Sequence, residues 1–203
     1  MNELNIRELE AHELDEGAHL LGRGMCNNPN NVEAFGRDRR HRERALAKMF
    51  LPLLRRTKTT GNVLGAFCKG KMVGIYAITA PGLCQLKSWE KLRFLPAIFL
   101  GNSLSTPVRI LHWVDEWSRR DPSEPHWHLG PVAVDRDLQN QGIGRAMMVD
   151  FCTRMDNWDT PSYLETDKSE NVRFYRKFGF TVIAESEILG VPNWFMSRRS
   201  SSP

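Results

Sequence analysis

Apolar and polar residues alternate in "LNIREL" at the start of the chain, which predicts a first strand. The stretch "HELDEGAHLLGRGM" changes to a helical stripe, and "CNNPNNVEAFG" breaks it with Pro29 and four asparagines. Residues 39–56 read as a helix in which Pro52 is a kink or a stop. "NVLGAFCKGKMVGIYAIT" predicts a hairpin of two apolar strands around Lys69, Gly70 and Lys71. Over residues 81–125 Leu, Trp, Arg and Lys recur at helical spacing, interrupted by "GNSLSTP" and "DPSEP". That predicts an insertion of about two helices, too apolar to be disordered. A strand at 126–134, a helix at about 142–156 and a strand at 162–166 follow. A short helix at 169–178 and strands at 179–187 and 193–198 complete the pattern. Ile143, Met147, Phe151 and Met155 recur every four residues and form one buried helical stripe.

The N-terminal half is thus α/β with a hairpin, and the C-terminal half is strand–helix–strand–helix–strand. With 203 residues the chain is long enough for one full domain and short for two. The expected class is α/β (α+β): a single domain over 1–203, its mixed central sheet flanked by helices, with the insertion at 81–125 and a frayed tail at 199–203. A hydrophobic share of 41% with 26% charged residues is an ordinary globular balance and does not change that picture. No apolar run approaches the ~20 residues of a membrane span, and the charged start "MNELNIRELEAHELDEG" lacks the apolar core of a secretory signal. We therefore expect a soluble, cytoplasmic protein with no membrane partner.

The net charge of +4 fits a phosphate-bearing ligand and carries no nucleic-acid signature. The basic run "RDRRHRER" from Arg37 to Arg44 is broken by acids and lacks interleaved aromatics, so it reads as a solvated helix face. Cys26, Cys68, Cys84 and Cys152 form no CxxC pair, which argues against a zinc knuckle or a redox dithiol.

The chemistry concentrates in "WHLGPVAVDRDLQNQGIGRAMM". Gly142 and Gly144 stand at the start of the predicted helix, where backbone N–H groups lack internal partners and the dipole is positive. Such an end accepts phosphate, and bare backbone lets a ligand come close. A P-loop needs Lys and Ser or Thr after its last Gly, yet Arg145 and Ala146 follow here. A dinucleotide fingerprint needs its third Gly where Met147 stands, and seven residues, Asp135 to Gln141, separate strand from glycine. What remains is Q-x-x-G-x-G after a strand, or a tight turn with no ligand.

Together with "GPVAV" before it and "YLETDKSENVRFYRKFGF" after it, the motif resembles the pyrophosphate loop of the GNAT N-acetyltransferase superfamily. The resemblance runs from about residue 62 to 199 and is weakest across the insertion; the block from Trp127 to Arg198 is also similar to the small-molecule enzymes of the puromycin N-acetyltransferase group. It implies a single GNAT-like domain that uses acetyl-CoA as co-substrate. Gln139, Asn140, Gln141, Gly142, Ile143, Gly144 and Arg145 would hold the pyrophosphate. The main chain of Val132, Ala133 and Val134 would bind the pantetheine like an added strand. Asn171 would contact the CoA arm, and Tyr175 would be the general acid for the leaving thiolate.

The residues themselves support part of this. Asn171 and Tyr175 lie four apart and share a helix face, with Phe174 and Phe178 on the neighbouring core face. Ser169 is the expected N-cap and Gly179 the residue after the last turn. His126 and His128 alternate and point to one side of their strand. Several family members carry a Glu or His near the position of His128 that relays the amine proton, so His128 is a candidate catalytic residue beside a purely structural alternative. No third ligand accompanies the H-x-H pair, and no metal is expected. Glu165 reads either as a structural carboxylate or as an amine anchor.

For the acceptor the sequence offers Trp89, Trp113 and Trp117 with Phe94, Phe99 and Leu100 in the insertion, either a satellite core or an aromatic wall over a small amine. Asp115, Glu116 and Glu33 are carboxylates that could hold an ammonium. The expected function is acetyl transfer to a small primary amine. Peptide acetylation and a non-catalytic CoA-binding module are the alternatives. The oligomeric state is not legible.

Overall fold

The computed structural model describes residues 4–86, 90, 92–99 and 101–200. Trp89 and Leu100, two of the aromatic-wall candidates, lie outside the described residues, as do positions 201–203 of the tail. One mixed sheet holds the strands β1 (Leu4–Glu8), β2 (Gly61–Cys68), β3 (Lys71–Thr79), β4 (Trp127–Val134), β5 (Ser162–Thr166), β6 (Thr181–Ile188) and β7 (Val191–Arg198). Their spatial order is β1-β2-β3-β4-β5-β7-β6. Every neighbouring pair is antiparallel except β4 and β5, which run parallel. The helices are α1 (Leu14–Met25), α2 (Pro29–Phe35), α3 (Arg39–Thr60), α4 (Leu95–Phe99), α5 (Ser105–Ser118), α6 (Ile143–Asn157) and α7 (Ser169–Arg176). None of the described helices is long and apolar enough to cross a membrane.

Each face of the sheet buries its own core. Leu20 and Leu21 of α1, Leu46 and Leu54 of α3 and Ile75 of β3 fill one side, joined by Phe94, Ile98 and Ile110 of the insertion. Phe151 and Met155 of α6 and Val172 and Tyr175 of α7 fill the other, against Tyr76, Leu164 and Phe180. The stripe expected for α6 is there: Met147, Phe151 and Met155 are buried, and Ile143 packs at the edge. The hairpin turns at Lys69 and Gly70, both with positive φ (50° and 76°), which suits the twist of a two-residue connection.

Four expectations give way. The break after α1 contains a helix, α2, because Pro29 takes its first position, where a missing N–H costs nothing, and Asn30 and Asn31 find buried partners. Helix α3 passes Pro52 and runs on to Thr60, since Leu54 and Thr57 are buried beyond the proline and their packing outweighs one lost backbone bond. Ser169 is the first residue of α7 and not its cap: Lys168 holds the extended cap conformation, and Ser169 Oγ turns to Glu170. Gly179 does follow the last turn, with φ 85°, so β6 starts two residues later than the alternation predicts.

Helices α1 and α3 meet at Gly22. A Cβ there would lie 2.6 Å from the Glu43 carbonyl oxygen and 3.2 Å from the Ala47 nitrogen, both backbone atoms. Gly22→Ala must push the helices apart, and overpacking of this kind costs about 1–3 kcal/mol. A chemical denaturation series should show a lower midpoint; an unchanged midpoint would mean the contact is slack.

Candidate active site

The site begins with a defect in the sheet. Tyr76 pairs with Val132 and Ile78 with Leu129, so Gly130 and Pro131 together oppose Ala77. This bulge reverses the faces of β4. Leu129 packs into the α6–α7 core, whereas Ala133, an even number of residues on, packs into the α1–α3 core. On its other edge β4 pairs with β5 only at Trp127–Ser162 and His128–Tyr163. From Leu129 to Val134 no described strand covers that edge. The N–H and C=O groups on that edge, apart from the Val134 carbonyl that Gln139 occupies, can receive an extended ligand as an added strand.

At the end of β4 the chain enters a loop and then α6. Asp135 accepts from the Asp137 N–H at 3.3 Å and is ion-paired to Arg23 at 2.8 Å, which fixes the start of the loop. The Gln139 side-chain amide donates to the Val134 carbonyl at 3.3 Å. Asn140 and Gly142 both have positive φ, 62° and 86°. A Cβ on Gly142 would meet nothing within 4 Å, so the glycine answers to its backbone conformation and not to crowding. The first intrahelical bond of α6 runs from Ala146 N to Gly142 O at 3.0 Å, which leaves the N–H groups of Ile143, Gly144 and Arg145 without helical partners. Residues 139–142 are exposed. The seven loop residues Gln139 to Arg145 are therefore together at a positive helix end beside the open edge of β4.

Across the opening stands α7. Asn171 Nδ2 donates to Thr166 Oγ1 at 3.1 Å, which ties the helix to the end of β5. Tyr175, one turn on, is 8% exposed and packs against the rings of Phe174 and Phe180. Its hydroxyl has no hydrogen-bond partner among the described residues. Burial, and then the neighbouring Asp167 carboxylate, push its pKa up to about 12, so it stays a neutral phenol throughout the neutral range.

His128 and Glu165 meet on the opposite face of the sheet, with His128 Nε2 2.7 Å from Glu165 Oε2. The carboxylate side chain is 5% exposed and the imidazole 24%. Burial disfavours charge on the ring, but Glu165 and then Cys84 outweigh it and raise the pKa well above the ordinary histidine value. Glu165 therefore serves as the partner of His128. His126 lies on the same side, and both imidazoles pack on Tyr163, at 5.2 and 5.6 Å between ring centres. The sequence shows no third donor for the H-x-H pair, yet the fold brings Cys84 and Asp121 to His126. Burial alone would lower His126; the contacts to Asp121 and Cys84 raise it to about 10, so the cluster favours positive charge at this point.

The insertion reaches this face. Trp113 and Trp117 meet edge to face at 5.0 Å and pack against Tyr163, Ile188 and Phe195, the satellite core that the sequence offers as one alternative. Trp117 Nε1 donates to Asn193 Oδ1 at 3.0 Å, and Asn30 Nδ2 donates to the same oxygen at 2.7 Å. The Asn30 N–H donates to Asp167 Oδ2 at 2.8 Å. Burial raises the Asp167 pKa despite that bond. Asp115 and Glu116 are engaged by Arg119 and Arg120 and Glu33 is exposed, whereas the Glu165 side chain and Asp167, at the end of β5 and just past it, are buried. Sequence reasoning passes over Asp167, Asn30, Asn193, Cys84 and Asp121. Only Asp167 carries a local signal, as a carboxylate just beyond a strand end. A separate hollow of about 460 Å³ between α1 and α3, lined by His19, Arg23, Arg40, Glu43 and Arg44, holds none of the predicted site residues.

Solved structures share this architecture. The chain superimposes on the crystal structure of a "histone acetyltransferase HPA2 and related acetyltransferase" from Corynebacterium glutamicum with a TM-score of 0.74 at 19% identity, covering 100% of this chain and 99% of that one. An agmatine N-acetyltransferase variant in its apo form gives 0.61 at 13% identity, covering 98% and 100%. The structure of yncA from Salmonella typhimurium with its cofactor acetyl-CoA gives 0.60 at 11%, covering 99% and 96%. These likenesses establish the fold. The profile of the acetyltransferase (GNAT) family matches residues 37–180, well over half of the chain and the whole stretch from the hairpin to α7, and on that match the chain belongs to the acetyltransferase (GNAT) family.

Proposed function

We propose that the protein transfers the acetyl group of acetyl-CoA to the primary amine of a small molecule, by direct attack with both substrates bound. The observation that carries this is the loss of β5 pairing along β4 beyond His128, beside a helix N-terminus with free N–H groups. The two features fit one molecule: an extended amide-bearing arm on the strand edge and a pyrophosphate on the helix end. Val132, Ala133 and Val134 would receive the arm through their main chain, residues 139–145 the pyrophosphate, and Asn171 a group along the arm. Acetyl-CoA supplies an activated acyl group as a thioester.

The residues then divide the work. Free N–H groups of the β4 edge stabilise negative charge on the carbonyl oxygen. Tyr175 hydrogen-bonds the departing sulfur and donates its proton as the carbon–sulfur bond breaks, regaining it from solvent. The His128–Glu165 pair takes up the proton of the attacking amine: the imidazolium passes its Nε2 proton to Glu165 and receives the amine proton in its place. Trp113, Trp117 and the insertion wall off the His128 side, which favours a small acceptor over a peptide laid in an open groove.

Changing His128 to Gln should lower kcat by about 10²-fold or more while acetyl-CoA affinity holds. A wild-type kcat for that variant would reduce His128 to a packing role. The acceptor class is tested by competition: acetyl-CoA is offered with a mixed panel of small primary amines and peptides, and products are identified by mass spectrometry. Acetylated small amines with peptides untouched is the expected result; the reverse would favour a protein substrate.

A further inference from the structure

We propose that Cys84, Asp121 and His126 form a zinc site that clamps both ends of the insertion to the sheet. The three residues come from the start of the insertion, from its end and from the position before β4. Their donor atoms lie within 4.8 Å of one another. His126 Nε2 is 3.7 Å from Cys84 Sγ and 3.1 Å from Asp121 Oδ1. Tetrahedral zinc holds nitrogen and oxygen at about 2.0–2.2 Å and sulfur at about 2.3 Å, which places neighbouring donors roughly 3.2–3.7 Å apart. The separation from Cys84 falls at the upper end of that spacing and the separation from Asp121 just below it.

A second observation concerns the donors' other contacts. His126 Nδ1–H donates to the Glu124 carbonyl at 2.8 Å, which fixes the ring and leaves Nε2 as the nitrogen turned into the cluster. Metal-bound histidines are oriented in this way. Asp121 Oδ2 accepts from Gln85 Nε2 at 2.7 Å, while Oδ1 is fully buried with no hydrogen-bond donor among the described residues. A buried carboxylate oxygen without a donor is costly. It lies beside Nε2 and the thiol, where a cation would satisfy it.

The donor set selects the ion. Thiolate, imidazole and carboxylate together suit zinc, whereas magnesium and calcium take oxygen donors. Three protein donors leave the fourth tetrahedral position to water. On binding, both the Cys84 thiol proton and the Nε2 proton of the His126 imidazolium leave to solvent. His128 keeps its Nε2 on Glu165 and is not counted among the ligands. The ion would hold the insertion, and with it Trp113 and Trp117, at a fixed distance from the His128 side of the sheet.

The test uses the full chain, stripped by a chelator under reducing conditions and titrated with cobalt(II) as the spectroscopic probe. One cobalt per chain is expected, with a thiolate-to-metal charge-transfer band and tetrahedral visible bands, all erased by added zinc. C84S should abolish the charge-transfer band. D121N, close to isosteric, should weaken binding at least about tenfold, since even outer-shell changes commonly cost 10–100-fold. Absence of a thiolate band in the wild type, its survival in C84S, or unchanged affinity in D121N would each overturn the site. Should C84S fail to fold by circular dichroism, the wild-type spectrum and D121N decide. None of these readouts depends on acetyl transfer.

Discussion

Tyr175→Phe is expected to lower kcat by about 10²–10⁴-fold while acetyl-CoA affinity stays nearly constant. The substitution removes one oxygen and keeps the ring, so the contacts with Phe174 and Phe180 survive and stability changes little. The native hydroxyl has no partner among the described residues, so no buried acceptor is orphaned by its loss. A phenol spent on packing usually ties its tip to a neighbour; this one is left free beside the end of β5. With its pKa pushed up to about 12, it is a weak acid in the ground state. Its contribution must therefore grow with the charge on the departing sulfur, which is the property that raises kcat. A thioester with a better leaving group should narrow the gap between variant and wild type. A kcat within about twofold of wild type would remove Tyr175 from the chemistry, because general acid catalysis is worth far more than that.

Gly142→Glu should abolish tight acetyl-CoA binding. Any L-residue at φ 86° is strained, by roughly 1–2 kcal/mol in the left-handed region. The carboxylate adds repulsion where the free N–H groups of Ile143, Gly144 and Arg145 attract phosphate. Because a Cβ at Gly142 meets nothing within 4 Å, the fold should tolerate the change, and circular dichroism can verify this. Gly142→Ala separates the effects: it carries the strain without the charge and should lie between the two. Calorimetric titration of a folded Gly142→Glu variant that binds acetyl-CoA as the wild type does would move the phosphate site elsewhere.

The C-terminal half of the site was legible because its parts are local. The strand, loop, glycines and helix follow one another within "GPVAVDRDLQNQGIGRAMM", and Asn171 and Tyr175 share a helix face by spacing alone. Periodicity likewise located the hairpin and, among the described residues, the helical character of α4 and α5. The β4 bulge was not legible, since its pairing partner Ala77 is remote in sequence and no residue in "HLGPVAV" announces which neighbour it will oppose. The same holds for the His128–Glu165 pair, which exists because β4 and β5 are adjacent only at their first residues. Helix α2 was hidden by a run of asparagines that reads as a loop until Asn30 meets Asn193 and the Asp167 carboxylate. Cys84 is likewise far in the sequence from Asp121 and His126. Local motifs foretold the loop, the helix end and the α7 face that we propose hold the acyl donor. The side proposed for the acceptor is built from contacts between distant segments, which leave little trace in local pattern.

The most direct measurement is the release of free CoA thiol from acetyl-CoA with donor and amine concentrations varied independently. The account predicts release that requires a small primary amine, with initial-velocity lines that intersect, as direct transfer between two bound substrates demands. Acetyl-CoA binding with no thiol release across small amines and peptides alike would contradict it and leave a CoA-binding module without turnover.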